Sequence, residues 1–96
     1  MTELTIKSDR PDAVRSELRL AINNQARSLR DSIRRTQTNL DAFEQKYGLT
    51  TEKLLKNEEQ GTLKDDNLEL IEWLGEHRIM QRLREELEVL EEIHIC

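Results

Sequence analysis

From Pro11 to Tyr47 the chain runs without a glycine or an internal proline, and Gly48 closes the run. Glycine and proline are the strongest punctuators of local structure, so 37 residues with neither after the opening proline predict one uninterrupted helix. A second helical run of similar character, with Gly75 inside it, begins near Asn67. Two long helices joined by a short connector predict an all-α chain folded as a long antiparallel helical hairpin. The expected divisions of this single domain are an extended arm over 1–9, a long helix over 10–47, a connector with a short helix over 48–65, and a second long helix over 66–94.

The first helix carries its own stripe. Ile22, Ala26, Leu29, Ile33, Thr36, Leu40, Phe43 and Tyr47 recur at alternating spacings of four and three, a heptad seam. Val14 and Leu18 precede it at spacings of four. Ser8 or Asp9 is the expected N-cap, with Pro11 in the first turn, where its missing N–H costs nothing. Gly48 is the expected left-handed stop, with Leu49 folding back onto the helix end. Thr50 or Thr51 can cap a short connector helix, and Asp66 with Glu69 three residues on forms a capping-box pattern for the last helix. On that helix Leu68, Ile71, Gly75, Ile79, Leu83, Leu87 and Leu90 form the expected core stripe. Gly75 inside it costs about 1 kcal/mol against alanine, which predicts a close approach of another backbone there. The candidate hairpin or dimer core is therefore Ile22, Leu29, Ile33, Leu40, Phe43, Ile71, Gly75, Ile79, Leu83, Leu87 and Leu90.

Composition then asks what covers these stripes. Of 96 residues, 35% are apolar, 36% are charged, and Phe43, Tyr47 and Trp73 are the only aromatics. A small domain with so thin a core usually needs a disulfide, a metal or a second subunit. Cys96 is the only cysteine, so no intrachain disulfide forms. His77 and His94 have no ligand-spaced neighbour, so neither a metal nor any other cofactor is expected. Self-association as a homodimer is the remaining expectation.

Charge gives the hairpin its sense. Residues 11–47 carry seven Lys/Arg against five Asp/Glu, and residues 48–96 carry six against thirteen. With Tyr47 near Leu68, Arg30 is expected opposite Glu85 and Arg27 opposite Glu88. Each such surface pair is worth only about 0.5 kcal/mol, so charge selects the register and apolar burial stabilises it. Leu4 and Ile6 alternate with polar neighbours as a short strand does, and a lone strand is either a frayed arm or pairs with a partner.

The function classes narrow in the same way. No apolar run is long enough to span a membrane. The first residues lack the basic start and long apolar stretch of a signal peptide, so a cytoplasmic location is expected. No glycine-rich phosphate loop or nucleophile elbow is present. Glu69-x-x-Glu72 and Glu85-x-x-Glu88 resemble the paired acidic motifs of all-α nucleotide pyrophosphohydrolases. Here both pairs sit on one helix, with Glu69 and Glu85 about 24 Å apart. One magnesium ion needs ligands at about 2.1 Å, so this magnesium-dependent enzyme is a minor alternative. Arg27, Arg30, Arg34 and Arg35 form a basic stripe, but it faces an acidic last helix and a net charge of −5 opposes nucleic-acid binding. A strand before a helix resembles ribbon–helix–helix repressors in outline, yet this helix is about three times too long. Direct nucleic-acid binding is not expected.

The segment from Phe43 to Leu55, with Tyr47-Gly48-Leu49-Thr50, then Leu63-Lys64-Asp65-Asp66 and Glu72-Trp73, is similar to a family of small prokaryotic helical proteins. That family carries a Tyr-Gly-Leu-Ser/Thr turn and a downstream acidic-tryptophan pair, and its Gly-Asp-Asp is replaced here by Lys64-Asp65-Asp66. The resemblance covers about residues 43–74, a third of the chain. It implies a helical fold and a non-catalytic interaction module, the antitoxin of a toxin–antitoxin pair, often encoded beside a second small protein. A structural coiled-coil dimer or adaptor is the alternative. Tyr47, Asp65, Asp66 and Trp73 are the candidate partner-binding residues, on the expectation that aromatic anchors flanked by carboxylates suit a basic toxin. The same rings are also candidates for plugging the core beneath the connector.

Overall fold

The computed structural model describes residues 2–4, 9–59 and 68–95. Three helices make up nearly all of it: α1 (Pro11–Tyr47), α2 (Thr51–Glu59) and α3 (Leu68–Glu91). Two three-residue strands, β1 (Thr2–Leu4) and β2 (Ile93–Ile95), complete it.

α1 starts where proline places it. Arg10 is the N-cap, at φ −130° and ψ 65°, and no side chain caps the helix. This corrects the expectation of a cap at Asp9 or Ser8, the latter lying outside the described residues. The physical reason is the Pro11 ring, which disfavours helical backbone at the residue before it. Asp12 in the first turn and Lys46 in the last both complement the helix dipole. Gly48 ends the helix in the left-handed region at φ 60°, and the N–H groups of Gly48 and Leu49 both donate to the Glu44 carbonyl.

α3 runs back along α1. Asn39 Nδ2 donates to Glu76 Oε2 at 3.4 Å and Lys46 Nζ lies 2.7 Å from Glu69 Oε1. Seven residues forward on α1 therefore meet seven residues backward on α3, which fixes the antiparallel sense. The predicted α1 seam is the buried one: Ala26, Leu29, Thr36 and Leu40 are buried, with Ile22, Ile33 and Phe43 half-buried. Arg30, expected opposite Glu85, instead reaches Glu91 at 3.8 Å, because its flexible side chain extends along the helix pair rather than straight across. Both partners are more than half exposed, so the pair adds little.

Two boundaries differ from the sequence reading. α3 stops at Glu91, and Ile93–Ile95 pairs in parallel with Thr2–Leu4 in the register Thr2↔Ile93, Glu3↔His94, Leu4↔Ile95. The last helix thus ends earlier than expected, and the N-terminal strand finds its partner within its own chain. Ile93-His94-Ile95 is a β-branched alternation, a strand signal of the same kind as Leu4 and Ile6.

The principal core lies at the connector end. Leu40, Leu54, Trp73 and Met80 are its buried members, with Ile33, Phe43, Leu49, Leu70 and Leu74 packed against it. Trp73 and Met80 lie seven residues apart on one face of α3. The expected stripe is turned away from them: Gly75 stands about 160° around the helix from Trp73 at 100° per residue. Ile71 and Ile79 are 51% and 48% exposed and Leu68 is 73% exposed, so none of them belongs to the hairpin core. Among the described residues a Cβ placed on Gly75 would meet nothing within 4 Å, so none of their backbone crosses there. α3 carries two apolar rows, and the one with the larger side chains, Trp73 and Met80, takes the core because it removes more apolar area from water. Leu83, Leu87 and Leu90 near the far end are half-buried in either case.

Candidate interaction surface

The turn after α1 builds the connector end from two consecutive threonines that share three tasks. Thr50 caps α2, its Oγ1 accepting from the Lys53 N–H at 3.1 Å. The Thr51 N–H donates to Glu44 Oε2 at 2.7 Å. Thr51 Oγ1, left over from capping, accepts the Trp73 indole N–H at 2.9 Å. A buried indole donor without a partner costs free energy, so this bond fixes where Trp73 sits. Leu54, one turn into α2, is fully buried against the same core.

Trp73 is therefore a core plug and not a surface anchor. It has no exposed surface, and it stacks between Phe43 at 5.7 Å and Tyr47 at 5.8 Å between ring centroids. Of the four candidate partner-binding residues, Tyr47 is the one that the structure brings to the surface, 37% exposed at the rim of the stack. Asp65 and Asp66 lie outside the described residues.

Tyr47 is held from outside by charge. Its hydroxyl donates to Glu69 Oε2 at 2.5 Å, and Lys46 Nζ donates to both Glu69 oxygens at 2.7 Å. The Lys46 ammonium also stands 5.8 Å from the Tyr47 ring centre. The hydrogen bond from Lys46, then that from Tyr47, holds the Glu69 carboxyl below its ordinary range. The same bond to Glu69 holds Lys46 above its ordinary value. All three side chains stay in contact with water, so the network positions the ring more than it stabilises the fold.

Beside this network runs an uncovered face. A groove of about 620 Å³ lies between α1 and α3, lined among others by Ala42, Phe43, Glu72, Gly75 and Ile79. A second, of about 520 Å³, continues it through Asn39, Glu76, Ile79 and Leu83. The absent side chain of Gly75 opens the first groove, and Ile71 and Ile79 stand one turn to either side of it on α3. Exposed apolar side chains scattered singly are ordinary, but these are aligned.

The other candidate chemistry disperses. Among the described residues no three of His, Cys, Asp and Glu gather as a cluster that could hold a metal ion. Arg34 bonds Asp31, Arg35 Nη2 donates to Ser32 Oγ at 3.1 Å, and Arg30 faces Glu91, so much of the basic stripe is engaged within the chain. Among the described residues no helix is long and apolar enough to cross a membrane. Sequence reading missed Thr51, Leu54 and Met80 as builders of this end. The available signals were the second threonine after Gly48, free once the first caps α2, and the seven-residue spacing of Trp73 and Met80.

No family model, no curated protein and no solved structure matches this chain.

Proposed function

We propose that this chain is a non-catalytic protein-interaction module that works as a cytoplasmic homodimer, with a basic protein of the toxin type as its second partner. One observation carries the reading: the fold leaves more surface open than a self-sufficient monomer does. The chain presents 7415 Å² to solvent, where a compact protein of this mass presents about 5,800 Å². Its radius of gyration is 19.0 Å, against about 12.5 Å for a compact chain of this length. Part of the open surface is a row of aligned apolar side chains on α3. The resemblance of residues 43–74 to the antitoxin-like family supports the second half of the reading, as does the net charge of −5, which steers a basic partner toward the molecule. Tyr47 is the surface aromatic at the connector end, and Asp65 and Asp66 follow α2 in sequence. These three are the proposed contacts for that partner.

Sedimentation equilibrium at micromolar concentration tests the first half, with a species of twice 11.4 kDa expected. A species of 11.4 kDa alone refutes it. Co-expression with the product of an adjacent small reading frame tests the second. The expected result is relief of that product's growth arrest, weakened by Asp65→Lys with Asp66→Lys. Full relief by the charge-reversed variant removes this surface from consideration. The alternative of a structural coiled-coil dimer or adaptor keeps the first result and lacks the second.

A further inference from the structure

We infer that a second copy of this chain docks on the open face of α3, with the two helices antiparallel about a two-fold axis at Gly75. The inference rests on the self-association proposed above and adds which surface associates and in which register.

The argument starts from the order of side chains along the face. Ile71 stands four residues before Gly75 and Ile79 four residues after it, and both are about half exposed. Reversing the helix about Gly75 therefore lays Ile71 of one copy against Ile79 of the other, and does so twice. Such self-complementarity is what an isologous contact requires. The charges obey the same reversal. Glu72 lies three residues before Gly75 and Arg78 three after, so an antiparallel contact sets Glu72 against the partner's Arg78. A parallel contact sets like on like at both positions. Arg78 already lies 3.7 Å from Glu58 on α2 and would bridge the two carboxylates.

Gly75 supplies the third reason. A glycine inside a helix weakens it unless something uses the missing side chain, and among the described residues nothing lies within 4 Å of where a Cβ would be. Ile71, Gly75 and Ile79 form a ridge of four-residue spacing, which packs against the equivalent ridge of another helix. A glycine at the crossing point lets the two backbones approach. The area agrees as well. The surface in excess of a compact monomer is roughly 1,600 Å² per copy, more than the about 800 Å² that each partner of a standard interface covers.

Site-directed disulfide trapping tests the register on the full chain with Cys96→Ser as background. Gly75→Cys faces its own copy across the axis, within the Cα separation of about 4.4–6.8 Å that a disulfide needs. Oxidation is expected to link most of the Gly75→Cys protein as a dimer and little of a Lys53→Cys control on α2. Equal linking at both positions, or none at Gly75→Cys, overturns the register. Ile79→Asp is expected to weaken dimerisation at least 100-fold while leaving helical content unchanged, since Ile79 is half exposed and lies outside the hairpin core. Glu72→Arg and Arg78→Glu are each expected to weaken it about 10-fold, and together to restore it to within about 3-fold of the parent. A dimer indifferent to Ile79→Asp overturns the surface yet leaves self-association standing. A parent chain that sediments as a monomer at 100 μM overturns both.

Discussion

The connector-end core and the open face of α3 both draw on apolar side chains of α3, and they differ in what holds each side chain. Trp73 is surrounded: Phe43 and Tyr47 stack on it, Leu54 closes over it from α2, and Thr51 takes its only polar atom. Ile71 and Ile79, one turn to either side of Gly75, have water where Trp73 has neighbours. The lesson is that an apolar stripe in a sequence marks a surface that wants covering and does not say by what. On α3 one row is covered by the chain itself, and the other is left.

Substitutions at the two regions should accordingly part company, and the largest expected difference is between Trp73→Ala and Ile79→Ala. Removing a fully buried tryptophan side chain should cost about 3–5 kcal/mol, since the lost transfer energy is joined by a cavity. Ile79→Ala should leave monomer stability within about 0.5 kcal/mol, as surface changes do. Urea unfolding followed by circular dichroism, under dilution that holds the protein monomeric, measures both. Equal losses would mean that the open face is covered within the chain. Leu54→Ala should follow at about 2–5 kcal/mol by the same cavity argument, although it lies on a helix of nine residues.

A subtler contrast concerns one hydrogen bond. Thr51→Val keeps the shape of the connector and removes the acceptor of the Trp73 indole. A buried donor left unsatisfied costs about 1–3 kcal/mol. Thr50→Ala removes the α2 cap instead and should cost about 1 kcal/mol. If Thr51→Val melts with the parent, the indole finds another acceptor and Thr51 does not position the ring. At Gly75 the sign reverses. Gly75→Ala should stabilise the isolated monomer by up to about 1 kcal/mol, because the helix gains propensity and the new methyl meets nothing.

How much of this was legible follows from the same comparison. The α1 seam was readable because one helix face carries one row, and Ala26, Leu29, Thr36 and Leu40 occupy it as spaced. The stop at Gly48 was readable because a left-handed residue there has a backbone requirement that glycine meets. α3 misled because it offers two rows, and periodicity reports the phase of a stripe without ranking two of them. Side-chain size ranks them: Trp73 with Met80 outweighs Ile71 with Gly75. The pairing of Thr2–Leu4 with Ile93–Ile95 was out of reach because two short strand signals at opposite ends of a chain say nothing about each other until the helices between them fold. Asp65 and Asp66 fall outside the described residues, so the acidic part of the proposed partner surface rests on sequence and charge.

The smallest expected effect lies where the two regions meet, at Lys46, Tyr47 and Glu69. Glu69 belongs to the first turn of α3, and its carboxylate accepts from Lys46 and from the Tyr47 hydroxyl. Its carboxyl is held below the ordinary 4.5, chiefly by the bond from Lys46. A group whose folded pKa is depressed contributes stability that is present above its unfolded value and is lost as the pH falls through the folded one. Lys46, raised above its ordinary 10.5 by the same bond, contributes up to that value and loses its contribution only as the pH climbs through the raised one. The pair is thus intact between the two limits, and its removal should matter across neutral pH and vanish in acid. Glu69→Gln is expected to lower the urea midpoint slightly at pH 7, through the lost bonds and the lost charge at the helix N-terminus. As the pH falls through that depressed value the carboxyl itself takes up its proton, and the two proteins should unfold closer together than at pH 7. Trp73→Ala should show no such convergence, since no proton is involved in its packing. A Glu69→Gln difference that persists undiminished however far the pH is lowered would mean that Glu69 acts by packing against Tyr47, and that the connector end is closed by contact on its outer side as it is on its inner one.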